Sequence, residues 1–288
     1  MSALKYGADL SSIICSPDAA IPIKSYCPDL IVFPSFYDIT ACIQLIPRFD
    51  SIVIGSAAGR CESAVASMKQ IIPKAIESAK VVVLDGDALW LLSQDKSILP
   101  SDFGSCTVVL TPNFMELTRL CQTYLDHTPQ GVSENFSDKL GKFLRTFVVR
   151  KGPIDFIGTP SGAANLSNFT GCDQPKRAGG LGDLLAGCIA VYTLHCLGSE
   201  THPVEVALER ACQINRFYAH ETFHNCKIWY SMVASDVLNN IKLDGRMQLP
   251  PLTQKQIHRD GLIALIIMGP LVLAVIAFLH YFAYHSNL

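Results

Sequence analysis

The chain has 288 residues, of which 49% are hydrophobic, and its formal net charge at pH 7 is −2. This length and hydrophobic share allow a core large enough for one α/β domain of about 200–250 residues. The slightly acidic balance gives no basic patch, so a nucleic-acid partner is disfavoured.

The eleven cysteines are scattered, from Cys15 to Cys226, and no two of them form a CxxC pair. The N-terminus carries no secretory signal. This pattern is typical of a reducing compartment with mostly buried thiols, and it disfavours a disulfide framework, a zinc site or a catalytic thiol.

The first half of the chain alternates short apolar runs with helical patterns. Helices are predicted after Pro17, around residues 41–45 and over residues 62–79. Strands are predicted at residues 11–15, 30–33, 51–54 and 81–84. The last of these runs, VVVL, is apolar and mostly β-branched throughout, which is typical of a parallel strand covered on both faces.

The second half continues the alternation. Strands are predicted at residues 108–110, 146–149 and 154–158. Helices are predicted at residues 114–125 and 137–144, after the glycine-rich segment, from Val204 to Tyr218, and from Ser235. We therefore predict a doubly wound, mainly parallel α/β sheet with helices on both faces, and ligands beyond the carboxyl ends of its strands.

The C-terminal part has a different composition. Residues 261–282 read GLIALIIMGPLVLAVIAFLHYF, which is long and apolar enough to cross a bilayer as a helix. Lys255 and Arg259 precede it as a cytoplasmic flank. We expect a catalytic domain over 1–242, a linker over 243–260 and a transmembrane tail anchor over 261–282, with the catalytic domain facing the cytosol. A buried core helix is the alternative.

Polar residues follow several of the predicted strands. Asp85 and Asp87 could approach a metal-bound nucleotide or only shape their turn. Asn113 and Glu116 have the spacing of a capping box, and they could also hydrogen-bond a polar substrate. Lys151, followed by Gly152, could contact a phosphate, although this dipeptide is common.

The most informative segment is PKRAGGLGDLLAGC, residues 175–188. Its glycines open a helix, where unpaired backbone N–H groups and the helix dipole favour an anion such as phosphate. Asp183, in the first turn, could accept a proton from a hydroxyl beside that phosphate. The simpler alternative is that Asp183 only caps the helix.

Taken together, these segments resemble the eukaryotic ATP-dependent NAD(P)H-hydrate dehydratase family, whose fold is ribokinase-like. The resemblance covers residues 2–241. Its most specific parts are the GGLGD loop, TPNFME and KGPID, and it also includes the segments SALKYGADL, IKSYCPDLIV, GSAAGR, VVVLDGDALW and a final SDV.

The resemblance implies repair of hydrated NADH and NADPH: ATP phosphorylates the ring hydroxyl and loss of phosphate restores the double bond. Asp183 would be the catalytic base. Mg²⁺ would neutralise the nucleotide phosphates, and no protein metal site is expected. The expected ATP-binding residues are Lys151, Gly152, Pro153, Ile154, Asp155, Asp173, Gln174, Pro175, Lys176, Arg177, Ala178, Gly179, Gly180, Leu181 and Gly182. The expected substrate-binding residues are Gly55, Gly59, Asn113, Phe114, Met115, Glu116, Leu117, Thr118, Arg119 and Asp183.

The sequence departs from the family pattern in three places. A GxxxYTGAP-type segment and a strand that usually precede the position of Ser2 are missing. The usual GPGLGR turn reads GSAAGR, so Ala57 adds a Cβ where the backbone could need a positive φ. The apolar tail is not a family feature.

Two alternative functions therefore stay open. They are a small-molecule kinase of the same fold and a catalytically weak, membrane-anchored nucleotide-binding protein. An NAD(P)H-hydrate epimerase partner and a homo-oligomer are further expectations from the resemblance.

Overall fold

A computed structural model of the chain describes residues 1–129, 131, 136–167, 178–197, 203–225, 231–243 and 263–268. Within these ranges the chain forms one nine-stranded sheet. The strands are β1 Leu10–Cys15, β2 Ile31–Phe33, β3 Ser51–Ile54, β4 Val81–Leu84, β5 Thr107–Leu110, β6 Phe147–Arg150, β7 Asp155–Gly158, β8 Ala164–Ser167 and β9 Ile263–Met268. Their order across the sheet is β2-β1-β9-β3-β4-β5-β6-β7-β8.

The first seven strands in this order run parallel, and β7 and β8 complete the sheet in antiparallel fashion. Ile54 is paired with Leu84, and Leu84 with Leu110, so β3, β4 and β5 end level with one another. The residues that follow these strands therefore meet at one edge, where ligands of open α/β sheets bind.

Helices cover both faces of the sheet. They are α1 Ser2–Lys5, α2 Pro17–Tyr26, α3 Ile39–Leu45, α4 Glu62–Ser78, α5 Gly86–Gln94, α6 Phe114–Leu125, α7 Ser137–Leu144, α8 Leu181–Leu197, α9 Val204–Asn225 and α10 Ala234–Asn240. Along β4, Val82 and Leu84 pack into the core cluster shared with α4, α5 and α6, whereas Val81 and Val83 pack into the cluster shared with α8 and α9. Both faces of this strand are buried, as its unbroken apolar run predicts, and the α/β class is confirmed.

The helix α8, which begins in the glycine-rich segment, is apolar almost all round. Fourteen of its residues are buried, from Leu181 to Cys196, because α9, α1 and the sheet all pack against it. Gly187 permits the contact with α1, since a Cβ there would lie 1.9 Å from Ser2 Oγ. The glycine-rich segment thus leads into a helix that is packed on several sides.

The C-terminal prediction differs from the structure. Ile263–Met268, inside the predicted transmembrane helix, form β9, which lies between β1 and β3 and is parallel to both. No helix among the described residues is long and apolar enough to cross a membrane. The remaining residues of 261–282, and the predicted linker after Leu243, lie outside the described ranges. A run of Ile, Leu and Ala suits a doubly covered parallel strand as well as a membrane helix, so composition did not separate the two.

Proline at Ile266 tests this strand. Because β9 has a partner on each side, its N–H groups are used in the sheet, and Ile266→Pro removes one hydrogen bond and leaves a carbonyl unpaired. We expect the free energy of unfolding to fall by about 1–3 kcal/mol, measured by urea denaturation of the full chain. Ile266→Val, which keeps the N–H, is the control. An unchanged transition would contradict the strand, because a membrane helix tolerates proline.

Candidate active site

A buried ion pair lies at the edge where β4, β5 and β6 end. Lys151, which follows β6, places its Nζ 2.5 Å from Oδ1 of Asp85, which follows β4. Thr111, which follows β5, donates a hydrogen bond from Oγ1 to the same oxygen at 2.9 Å. The Lys151 backbone N–H also donates to the carbonyl oxygen of Pro112, at 2.8 Å. The aligned strand ends thus bring together residues that are 66 positions apart in the sequence.

The first turn of α8 packs against this pair. A Cβ built on Gly182 would lie 3.2 Å from Lys151 Nζ, and one built on Gly180 would lie 3.9 Å from Asp183 Oδ2. Gly180 has φ +88°, a left-handed conformation that glycine adopts without strain. The first N–H groups of a helix have no partner within it, so this end of α8 offers donors to an anion beside Asp183 and Lys151.

The charges of the site act on one another. Burial raises the pKa of Asp183, which the Asp85 carboxylate raises further, to about 6, while Ser56 and Lys151 oppose the rise. Burial opposes the charge of Lys151, but the carboxylates of Asp85 and Glu116 outweigh it and raise the pKa of Lys151. Asp183 is therefore a carboxylate whose proton affinity suits a base working near neutral pH, and Lys151 remains a cation.

The residues after β5 form a complete capping box. Glu116 donates its backbone N–H to Asn113 Oδ1 at 3.0 Å, and Asn113 donates its own N–H to Glu116 Oε2 at 2.8 Å. The capping interpretation is confirmed. Glu116 also belongs to the site, because burial raises its pKa and the charge of Lys151 lowers it.

The GSAAGR turn follows β3. A Cβ on Gly55 would lie 2.1 Å from the Asp85 carbonyl oxygen, so only glycine fits there. Ala57 has φ +50°, as anticipated for this departure from the family pattern, and this conformation is costly for a residue with a Cβ. Asp87 accepts from the Gly59 N–H at 2.9 Å and from Arg60 Nε at 2.7 Å. Asp87 thus shapes this turn.

Arg216, on α9, holds the KGPID loop (residues 151–155) in place. Its Nε donates to Asp155 Oδ2 at 2.7 Å, its Nη1 to the Pro153 carbonyl at 2.8 Å and its Nη2 to the Gly152 carbonyl at 2.6 Å. Asp155 Oδ1 accepts from the Gly152 N–H at 3.1 Å. Both oxygens of the buried Asp155 are thus used within the protein, where the carboxylate orders the loop. Its expected contact with ATP stays a prediction.

Three further expected residues have side chains that make contacts within the protein. Leu117 and Leu181 are buried in the two core clusters, with 0% and 4% of their surface exposed, so their side chains pack in the protein interior. Thr118 donates to the Phe114 carbonyl within α6, at 2.9 Å. The expected site residues whose side chains are exposed or partly exposed are Lys151, Pro153, Ile154, Ala178, Asp183, Asn113, Phe114, Met115, Glu116, Thr118 and Arg119. The expected ATP-binding residues 173–177 lie outside the described ranges.

The sequence analysis did not assign roles to Arg216, Thr111 or Ser56. Arg216 is the clearest omission: it is 4% exposed, on an otherwise amphipathic helix. Arg216 lies among the apolar positions of that helix. This is the one signal in the sequence that could have indicated a buried partner for Arg216, because a buried charge needs to be paired.

In the described part of the chain, no group of three His, Cys, Asp or Glu side chains is arranged to hold a metal ion. The carboxylates of Asp85, Glu116 and Asp183 share their surroundings with the Lys151 ammonium instead. This charge set is compatible with a magnesium ion that is carried on nucleotide phosphates.

Comparisons with known proteins agree with this geometry. The ATP-dependent (S)-NAD(P)H-hydrate dehydratase of Danio rerio is 33% identical over 259 residues, covering 84% of this chain and 74% of that protein. A ribokinase-like superfamily protein of Enterococcus faecalis has a TM-score of 0.65 and 22% identity, covering 83% of this chain and 78% of that one. The ADP/ATP-dependent NAD(P)H-hydrate dehydratase of Bacillus subtilis, co-crystallised with ATP/Mg²⁺, has a TM-score of 0.56 and 18% identity, covering 83% and 88%.

The sequence model of the NAD(P)H-hydrate dehydratase family matches residues 1–242, which include every strand exit described above. The structural neighbours share the arrangement of sheet and helices. The chain has a ribokinase-like fold and belongs to the NAD(P)H-hydrate dehydratase family.

Proposed function

We propose that this chain is an ATP-dependent lyase that dehydrates the hydrated forms of NADH and NADPH. The observation that carries the proposal is the placement of Asp183 in the first turn of α8, beside Lys151 and next to three glycines. A base, a cation and a helix N-terminus at one point suit phosphoryl transfer to a hydroxyl. The relative from Danio rerio carries this activity in its name.

In the proposed reaction, Asp183 accepts the proton of the ring hydroxyl while the hydroxyl oxygen attacks the γ-phosphorus of ATP, and ADP leaves. The C–O bond of the resulting phosphate ester then breaks, so that phosphate leaves, and the adjacent ring carbon loses a proton, which restores the double bond. The backbone N–H groups of residues 179–182 and the Lys151 ammonium stabilise the negative charge of the transferring group. Bound with ATP, Mg²⁺ would neutralise the phosphate oxygens.

We further propose how the two ligands divide the edge of the sheet. The substrate would contact the turn that contains Gly55 and Gly59, the first turn of α6 from Asn113 to Arg119, and Asp183. ATP would contact residues 151–155 and residues 173–182. The exposed side chains of Met115 and Ile154, one on each side, support this division because they offer apolar surface to flat rings.

The test uses the full chain with ATP, Mg²⁺ and hydrated NADH, and follows the return of absorbance at the reduced-nicotinamide band. We expect recovery that requires ATP and falls off below pH about 6, where Asp183 becomes protonated. Binding of ATP without recovery would favour the catalytically weak nucleotide-binding protein. Phosphorylation of a vitamin-like alcohol, with no recovery, would favour the small-molecule kinase.

An epimerase partner and a homo-oligomer belong to the same proposal. The name of the Danio rerio relative specifies the S form of the hydrate. If this chain shares that preference, an epimerase would convert the R form of the hydrate, which has the opposite configuration at the ring carbon, into the S form. Incubation with the mixed epimers should then stop near half recovery until an epimerase is added.

A further inference from the structure

Among the described residues, several carboxylates act on Lys151, but only Asp85 forms an ion pair with it. Its Nζ lies 2.5 Å from Asp85, while the charges of Glu116 and Asp183 act on it from farther away. In the part of the chain that the structure describes, no ion pair joins Lys151 to Asp183. The residue proposed as the base therefore lies near an ammonium group without being bound to it.

Asp85 is fixed firmly enough to compete for that ammonium. It is 3% exposed, and its side chain accepts the Thr111 hydroxyl hydrogen bond. Its backbone N–H donates to the Ile54 carbonyl at 3.0 Å. Gly55 packs directly on its carbonyl oxygen. The carboxylate thus has a set position at the junction of β3, β4 and β5.

We propose that Asp85 is a positioning residue for the reaction: it holds the Lys151 ammonium in an ion pair, and so leaves the Asp183 carboxylate unpaired and ready to accept a proton. This inference rests on the proposed role of Asp183 as the base. A carboxylate bound to an ammonium group would be a weaker base, and one of its oxygens would be blocked.

Within the described ranges, the groups that act on Asp183 come from four parts of the fold. Burial raises its pKa first, and Asp85, following β4, raises it next. The Ser56 hydroxyl, after β3, and Lys151, after β6, lower the pKa, and Glu116 of α6 raises it. Removing the charge of Asp85 should lower the pKa of Asp183 for two reasons. The repulsion between the two carboxylates is lost, and Lys151 becomes free to pair with Asp183.

The experiment is a carbon-13 NMR titration of the aspartate carboxyl groups in the full chain, with Asp183 assigned from Asp183→Asn. We expect a pKa of about 6 for Asp183 in the unmodified chain and a fall of about one unit or more in Asp85→Asn. The acid limb of the kcat profile, at saturating ATP, should move the same way. The kcat plateau should fall about tenfold, as expected for a weaker base.

Two variants serve as controls. Ser56→Ala should raise the pKa of Asp183, the opposite sign, because the nearby Ser56 hydroxyl lowers that pKa. Asp85→Asn combined with Lys151→Met should bring the pKa of Asp183 back up, because the ammonium group is then absent. If the single variant does not fold, the double variant can still report the effect of the Lys151 ammonium group on the pKa of Asp183.

An unchanged pKa of Asp183 in Asp85→Asn would overturn the proposal, as would an equal fall in the double variant. The NMR titration does not depend on turnover. If the pKa of Asp183 shifts but the chain fails to dehydrate hydrated NADH, the proposed function is rejected and the positioning role is kept. If the chain dehydrates hydrated NADH but the pKa does not shift, the positioning role is rejected and the proposed function is kept.

Discussion

Asp183→Asn is expected to lower kcat for ATP-dependent dehydration by about 10²–10⁴-fold, the usual contribution of a general base. The amide has nearly the same shape as the carboxylate but cannot accept the proton of the ring hydroxyl. Because Asp183 lies at the end of a well-packed helix rather than in the core, its replacement should leave the fold intact. The measurement is absorbance recovery at saturating ATP, with ATP affinity determined separately by calorimetry.

Asp29→Asn, in an exposed loop between α2 and β2, is the matched control and should keep full activity. Stability gives a second check. The raised pKa of Asp183 means that the folded protein gains a proton more readily than the unfolded chain, so stability should decline as the pH rises from about 4 to about 6. Asp183→Asn should remove this decline. Near-normal turnover in the variant would show that another group is the base.

The sequence was sufficient to predict the edge of the sheet at which the site forms. Runs such as VVVL determine parallel strands locally, and the exits after Ile54, Leu84 and Leu110 follow from the pairing of neighbouring strands. The pattern of Asn113 and Glu116 was also local, because the two residues of a capping box are only three positions apart.

The contacts within the site could not be predicted in the same way. The pair between Asp85 and Lys151 depends on the lengths of β4, β5 and β6 relative to one another, which no local pattern encodes. The same holds for Asp155, because the KGPID motif did not indicate its partner Arg216, which is 61 residues away. A sequence motif thus indicates where a residue lies in the fold more readily than it indicates what that residue does.

The C-terminal strand shows a different limit. Residues 263–268 carry an apolar pattern that both a bilayer and the sheet interior accept. What separates the two is the space between β1 and β3, which β9 fills. That space is a property of the whole sheet, so a local sequence pattern does not reveal it.

Arg216→Met is expected to destabilise the chain by about 3–5 kcal/mol, because it leaves the buried carboxylate of Asp155 without its cation. The side chain of Arg216 is 5% exposed and that of Asp155 is 6% exposed, so water does not replace the lost charge. The thermal midpoint should fall on the order of 10 °C, measured by calorimetry or by urea denaturation. A loss below about 1 kcal/mol would show that the pair behaves like a surface ion pair.

The double variant Arg216→Met, Asp155→Leu separates stability from loop geometry. Replacing both partners of a buried pair by apolar residues is often close to neutral, so most of the stability should return. The carbonyls of Gly152 and Pro153 still lack the guanidinium that orients them. We therefore expect the double variant to keep a raised KM for ATP with little change in the KM for hydrated NADH. Full recovery of both values would mean that Arg216 contributes to the fold alone, and that the KGPID loop holds its shape without it.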